Sequence, residues 1–475
     1  MIHNQAWQDL LERESVVASF EVLTEDDPIF DATKRLGLSE SINGIMGEFK
    51  GMRVPFAAFA LPHHKAIAEQ NLYSCLFGRD SLLISELLDE RVPGLRKSTV
   101  LALAQVQGEK FEPTSEEEPG RIPHEIREDD DLRGLEISKS EGWKFPYYGS
   151  VDATLIWLRG VRDLVKRREV ELDLQIGVRT LSWRAQLAAN WVVNRLDSAT
   201  GFVQSQRPNE NGILNQVWKD SGDSYQDATG TIATSLGTAS VETVSETFDA
   251  LVASAELSKH GQWNEKPSHY IDLALSLRER FIAKFLHHDY PVMGIQMNGN
   301  EIWHLDSSAS NQGRLLDSAL LADLEFQDLR KQIASEMVGS GLLGPNGIRT
   351  LSKTHPNYRP GGYHTGSSWP MDSAFVTRGL LRHGFFQEAR EIANRTCSAI
   401  EAVGGYPEMF RSDGIGRDSI TRFVTDAESS DYQIRNRISQ PPQAMQGWSI
   451  AAYSWLVSSG ILDRPKVKAL AWKAK

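Results

Sequence analysis

DATLIWLRGVRDLVKRR, residues 152–168, sets its apolar side chains at helical spacing behind an aspartate and ends in a cluster of cations. Aspartate suits a helix N-cap and basic residues suit the C-terminal dipole, so the stretch predicts one complete helix. The same period continues outward on both sides. Towards the N-terminus it runs through SLLISELLDE (81–90), with Asp80 as a candidate cap, and LRKSTVLALAQVQ (95–107), after a Pro-Gly break. Towards the C-terminus VRTLSWRAQLAANWVVNRLD (178–197) is amphipathic, and helical patterns recur near 240–258, 268–286, 313–338, 372–383, 386–402 and 443–458. The expectation is about ten to twelve helices, often in antiparallel pairs. Strand signals are few and short, VMGIQM (292–297) among them.

Long polar loops rich in Gly, Pro and Asp separate the pairs: 108–149, 201–235, 287–312, 339–371 and 404–442. Loops of that length in a compact domain usually carry function. Helical pairs with long loops on one side predict an all-α toroid of helical hairpins, with a packed centre and a funnel of loops above it. Residues 1–475 are read as a single catalytic domain, with 1–66 as an N-terminal extension packed on it.

Composition narrows the function classes. The net charge is −12, and no run of basic residues acts against it, which disfavours nucleic acid as a partner. No apolar run approaches the roughly 18 residues that cross a bilayer. The longest candidate, VPFAAFALP (54–62), is bracketed by prolines. Two cysteines, Cys75 and Cys397, lie far apart and lack metal-ligand spacing. Neither a metal nor a cofactor is expected. The N-terminus lacks the apolar core of a signal peptide, and a cytoplasmic protein is expected. Twelve tryptophans offer flat apolar faces, which serve packing and also stacking on sugar rings.

Several loop segments could carry chemistry. In NQVWKDSGDSYQD (215–227), Trp218 can stack on a sugar while Asp220 reaches a glycosidic oxygen; Asp223 and Asp227 are alternative acids. A general acid at neutral pH needs a raised pKa, which an apolar neighbour favours; Lys219 would oppose it if its ammonium faced Asp220. LFGRDSLLIS (76–85) sets Arg79 and Asp80 at a loop-to-helix junction, either as cap and surface cation or as a clamp for sugar hydroxyls. GRIPHEIRE (120–128), FPYYGSVDATLIWL (145–158) and WHLDSSASNQGRLL (303–316) add polar and aromatic groups, and GGYPEMFRSD (404–413) adds Glu408.

Taken in order, FGRDS, GRIPHEIR, YYGSVDAT, NQVWKDSGDS, DSSASNQGRLL, YHTGSSWPMDSA, GYPEMF and PPQAMQGW resemble the amylo-α-1,6-glucosidase domain of glycogen debranching enzymes. They are also similar to the bacterial hydrolases of mannosylglycerate and glucosylglycerate. The resemblance covers about residues 70 to 456. It implies an (α/α)6 barrel, with Asp220 as general acid and Glu408 as general base. It further implies that Arg79 and Asp80 hold the non-reducing sugar, with Tyr148, Asp152, Trp218, His364, Trp369 and Gln446 around the pocket. The chain departs from the family pattern at Val217, Ser368 and Met371, so the substrate does not transfer with the fold.

The resulting expectation is an exo-acting α-glycosidase that inverts configuration on a small α-glucoside such as glucosylglycerol or glucosylglycerate. Lys353 and Arg359 are candidate cations for an anionic aglycone. The alternatives are an α-1,6/α-1,4-glucosidase of short glucans, a sugar phosphorylase, or a non-catalytic sugar-binding protein. Inversion implies a carboxyl separation of roughly 6.5–9.5 Å. The partner is a small carbohydrate; the oligomeric state stays open.

Overall fold

The computed structural model describes residues 37–59, 73–233, 237–298, 301–420 and 445–462. Its elements are mostly helices: α1 (Leu38–Gly44), α2 (Gly78–Leu87), α3 (Leu95–Ala104), α4 (Leu132–Ser140), α5 (Asp152–Lys166), α6 (Leu181–Asn194) and α7 (Val241–Gly261). They continue through α8 (Pro267–Phe285), α9 (Asn311–Arg314), α10 (Gln327–Met337), α11 (Pro370–Arg382), α12 (Phe386–Val403) and α13 (Gly447–Ser458). Strands are short antiparallel pairs, and the one three-stranded sheet among the described residues joins Gly294–Asn298 to Glu301–Leu305 and Ala239–Ser240.

The helices pack in sequence around a closed ring. α2 packs on α5, α5 on α7, α7 on the short α9, α9 on α11, α11 on α13, and α13 returns to α2. Outside it, α3 covers α2 and α5, α6 covers α5 and α7, α8 covers α7, α10 covers α9, and α12 covers α11 and α13. Burial follows position. In α5 and α13 nearly every early residue is buried, as befits a helix with neighbours all round. In the outer α8 the buried residues Tyr270, Ala274, Leu277, Phe281 and Phe285 form a single stripe. Residues 37–59 supply α1 and the hairpin Met46–Phe49/Met52–Pro55; α1 packs on α13, and the second strand packs on α3 and α2.

The structure corrects several local expectations. The span 313–338 is not one helix: α9 gives way to short 3₁₀ turns before α10 begins. Ser318 ends the first run and caps the next turn by accepting from the Leu320 N–H, while Asp249 of α7 accepts from the Ser318 hydroxyl and the Ala319 N–H. A tertiary acceptor thus overrides the local helical period. Asp80 and Asp152 are not N-caps but first-turn residues, and their carboxyls turn to an arginine instead. Ser150 accepts the Ala153 N–H in the place expected of Asp152. The loop 108–149 contains α4, and the expected start of the last helix at 443 lies outside the described residues.

Two cavities mark the two ends of the ring. One is lined by residues at the N-terminal ends of α2, α11 and α13, the other by residues at the C-terminal ends of α2, α5 and α11. The ring helices that share these cavities therefore run the same way. Their first turns, with unpaired N–H groups and the positive ends of the dipoles, gather on one side.

Candidate active site

The N-terminal cavity has a volume of ≈ 310 Å³, at the lower end of small-molecule sites. Strand Leu76–Phe77 pairs with Glu125–Ile126, which zips the FGRDS and PHEIR segments together and brings His124 and Glu125 to the wall. Gly78 is required at this junction, because a Cβ there would lie 2.0 Å from the Pro123 carbonyl oxygen. The next residue, Arg79, is buried and meets three carboxyls: Asp152 Oδ2 at 3.3 Å, Asp80 Oδ2 at 3.5 Å and Asp220 Oδ2 at 3.7 Å.

Asp220 is held by its neighbours on the chain. Lys219 turns away from the cavity and is fully buried, donating to Ser310 Oγ (3.0 Å), Asn311 Oδ1 (2.5 Å) and the Thr350 carbonyl (2.8 Å). It does not face Asp220, so its charge does not work against the acid. Burial pushes Lys219 down to about 8, although Asp372 and Glu242 oppose the shift. On the other side, the Ser221 N–H and hydroxyl both meet His364 Nδ1. Asp220 keeps 32 % of its side chain exposed, on the cavity side. The surrounding protein nonetheless pushes it up to about 7: desolvation is the largest cause, Asp80 and Asp152 add to it, and Arg79 opposes it.

Glu408 lines the same cavity and is buried. Its Oε1 accepts from the Tyr363 hydroxyl at 2.6 Å, and the Tyr73 hydroxyl lies 3.5 Å from that of Tyr363. Aromatic rings line the same cavity. His364 stacks on Trp369 at 5.3 Å, while Trp218 and Trp448 meet Trp369 edge-on at 5.8 and 5.3 Å. The Trp369 indole donates to the Tyr363 carbonyl, and the Trp218 indole donates to Glu242. Burial, reinforced by Lys219 and Arg79, holds His364 well below the usual imidazole range, so its ring is neutral. His364 Nε2 and Trp448 Nε1 have no protein partner among the described residues.

Of the ten expected site residues, Asp220, Glu408, Arg79, Asp80, Trp218, His364, Trp369 and Gln446 line this cavity. Two do not. Tyr148 is buried with its hydroxyl on the Val106 carbonyl at 2.8 Å, a strut under the 108–149 loop rather than a pocket residue. Asp152 lies behind Arg79 and out of the cavity. Lys353 is not in the lining either, and Arg359 is drawn towards Asp223 at 3.8 Å. The cation that joins Arg79 in the wall is Arg133 on α4. Sequence reasoning also missed Tyr363, although its position beside His364 within a quoted motif was a usable signal. Among the described residues no group of His, Cys, Asp and Glu is arranged to hold a metal, and no helix is long and apolar enough to cross a membrane.

Residues 225–414 match the family model described as the mannosylglycerate hydrolase MGH1-like glycoside hydrolase domain. The match contains Tyr363, His364, Trp369 and Glu408 and begins shortly after Asp220. The fold is similar to that of the GH63 mannosylglycerate hydrolase from Thermus thermophilus in complex with Tris, at 13 % identity and a TM-score of 0.54. That similarity covers 88 % of this chain and 98 % of the other. The structure of that hydrolase with Tris and D-glycerate gives 13 % and 0.55 over the same shares. An uncharacterized conserved protein from the same organism gives 14 % and 0.56, again over 88 % and 98 %. No curated protein matches the sequence. Residues 225–414 thus match a glycoside hydrolase domain of the mannosylglycerate hydrolase type, and the chain is a glycosidase.

Proposed function

We propose that this glycosidase removes a single hexose from a small α-glucoside and does so with inversion. The observation that carries the reading is that Asp220 and Glu408 line one cavity with different partners. Asp220 sits among acids in a desolvated corner, while Glu408 accepts a hydrogen bond from Tyr363. A carboxyl raised to about 7 suits a proton donor, and a carboxylate that accepts a phenol hydrogen bond suits a base. Asp220 gives its proton to the glycosidic oxygen as the C1–O bond breaks. Glu408 takes a proton from water, whose oxygen attacks C1 from the opposite ring face.

The sugar ring lies on the Trp369–His364 floor, with Arg79 and Asp80 on its hydroxyls and the ring N–H groups of His364 and Trp448 as further donors. The ring of helices is read as an (α/α)6 barrel forming one catalytic domain. A cavity near 310 Å³ suits a hexose with a short aglycone better than a glucan chain. Arg133 at the wall favours a carboxylate on that aglycone, so a glucosylglycerate-like substrate ranks ahead of glucosylglycerol.

The test is proton NMR of hydrolysis across glucosylglycerate, glucosylglycerol, mannosylglycerate, maltose and isomaltose. Initial release of the β-anomer from a small glucoside supports the proposal. Initial release of the α-anomer overturns the role of Glu408. Turnover only with added phosphate identifies a phosphorylase instead.

A further inference from the structure

Three carboxyls share one buried guanidinium. Asp152 meets Arg79 Nη1 through both oxygens, at 3.5 and 3.3 Å, Asp80 meets Nε at 3.5 Å, and Asp220 meets Nη2 at 3.7 Å. One positive charge cannot balance three negative ones, and like charges this close resist ionising together. Which carboxyl yields depends on the donors each receives. Asp152 also accepts the Ser150 hydroxyl at 2.5 Å and stands in the first turn of α5, where the helix dipole favours an anion. Asp220 receives the longest of the guanidinium contacts and stands at the cavity.

We infer that Asp152 is a positioning residue for the proton on Asp220: it draws Arg79 away from the acid and places a second negative charge behind it. The assignment rests on the reading of Asp220 as proton donor. It gives a role to a buried carboxyl outside the cavity lining. The imidazole, ammonium and phenols around Asp220 do not account for the effect. His364 is neutral, the Lys219 ammonium is bound to Ser310, Asn311 and Thr350, and Tyr73 and Tyr363 lie on the Glu408 side. Asp80 acts in the same direction as Asp152, but it lies on the same α2 turn as Arg79 and lines the pocket itself.

The experiment is carbon-13 NMR of the full chain labelled at aspartate carboxyls, with the Asp220 signal identified by its loss in Asp220→Asn. In Asp152→Asn the Asp220 titration midpoint should fall by about 1–2 units. The basic limb of the kcat/KM profile should fall with it, so that lost activity returns at lower pH. Asp152→Glu, which restores the charge, should return the midpoint towards that of the unaltered protein. If Asp152→Asn does not fold, Ser150→Ala should give a smaller fall in the same direction. An unchanged Asp220 midpoint, or a uniform loss of kcat with an unmoved profile, overturns the assignment. Asp220→Asn that keeps full activity on unactivated glucosides overturns the proton-donor reading instead, whatever the NMR midpoint shows.

Discussion

The Tyr363 hydroxyl donates to Glu408 Oε1 at 2.6 Å, so the candidate base is oriented by a phenol from a different loop. A hydrogen bond to a carboxylate favours its charged form, the form a base needs. Burial and the negative charge of Glu408 in turn hold the Tyr363 phenol well above its usual range, so it remains a donor. Tyr363→Phe should therefore lower kcat about tenfold, the worth of a charge-assisted hydrogen bond. The acidic limb of the pH profile should move to higher pH. Steady-state kinetics across pH 4–8, about the span of carboxylate and imidazole titrations, reads both effects.

Asp220→Asn should lower kcat/KM on unactivated glucosides by roughly 10²–10⁴. An aryl glucoside with a good leaving group needs little protonation and should recover much of that loss. Glu408→Gln should lose both reactions alike, because water activation does not depend on the leaving group.

Asp220 also sets the direction of the pH dependence. Its carboxyl is pushed up to about 7, and a general acid works only while protonated, so kcat/KM should hold below that value and fall as pH rises through it. The same group binds its proton more tightly folded than unfolded. Native stability is thus eroded from the unfolded carboxylate value upward, and most fully above about 7. Asp220→Asn should therefore raise the thermal midpoint more at pH 8 than at pH 5, both set by those two carboxylate values. Equal midpoints for the two proteins at pH 8 contradict this.

Lys219→Met should destabilise the fold by about 2–4 kcal/mol, since it leaves the acceptors on Ser310, Asn311 and Thr350 buried and unpaired. Because the same bonds pin the residue before Asp220, kcat should fall even at temperatures where the variant is fully folded. Denaturant unfolding and kinetics at low temperature separate the two effects.

Arg133→Ala should raise KM for a glucoside with a carboxylate aglycone about tenfold and leave a neutral glucoside nearly unaffected. The side chain sits on α4 and pairs with Glu136 at 2.7 Å, so its loss should not disturb the ring of helices. Equal effects on both substrates remove the argument for an anionic aglycone.

The sequence by itself determined most of the helices and where chemistry could sit. Helical period, Pro-Gly breaks and first-turn acids are local signals, and α2, α5, α11 and α12 lie close to where those signals put them. The resemblance of ordered motifs singled out Asp220 and Glu408, which do share a cavity. Only the tertiary structure decided what each side chain does. Arg79 and Asp152 stand 73 residues apart, and Lys219 and Thr350 stand 131 apart, yet each pair is in contact. Tyr148 became a strut on Val106 and Tyr363 the partner of Glu408 through contacts 42 and 45 residues away in the chain. The charge state of Asp220 is likewise a property of its neighbours. Electrostatic and hydrogen-bond energies depend on distances through space, whereas periodicity and turn chemistry depend on distances along the chain.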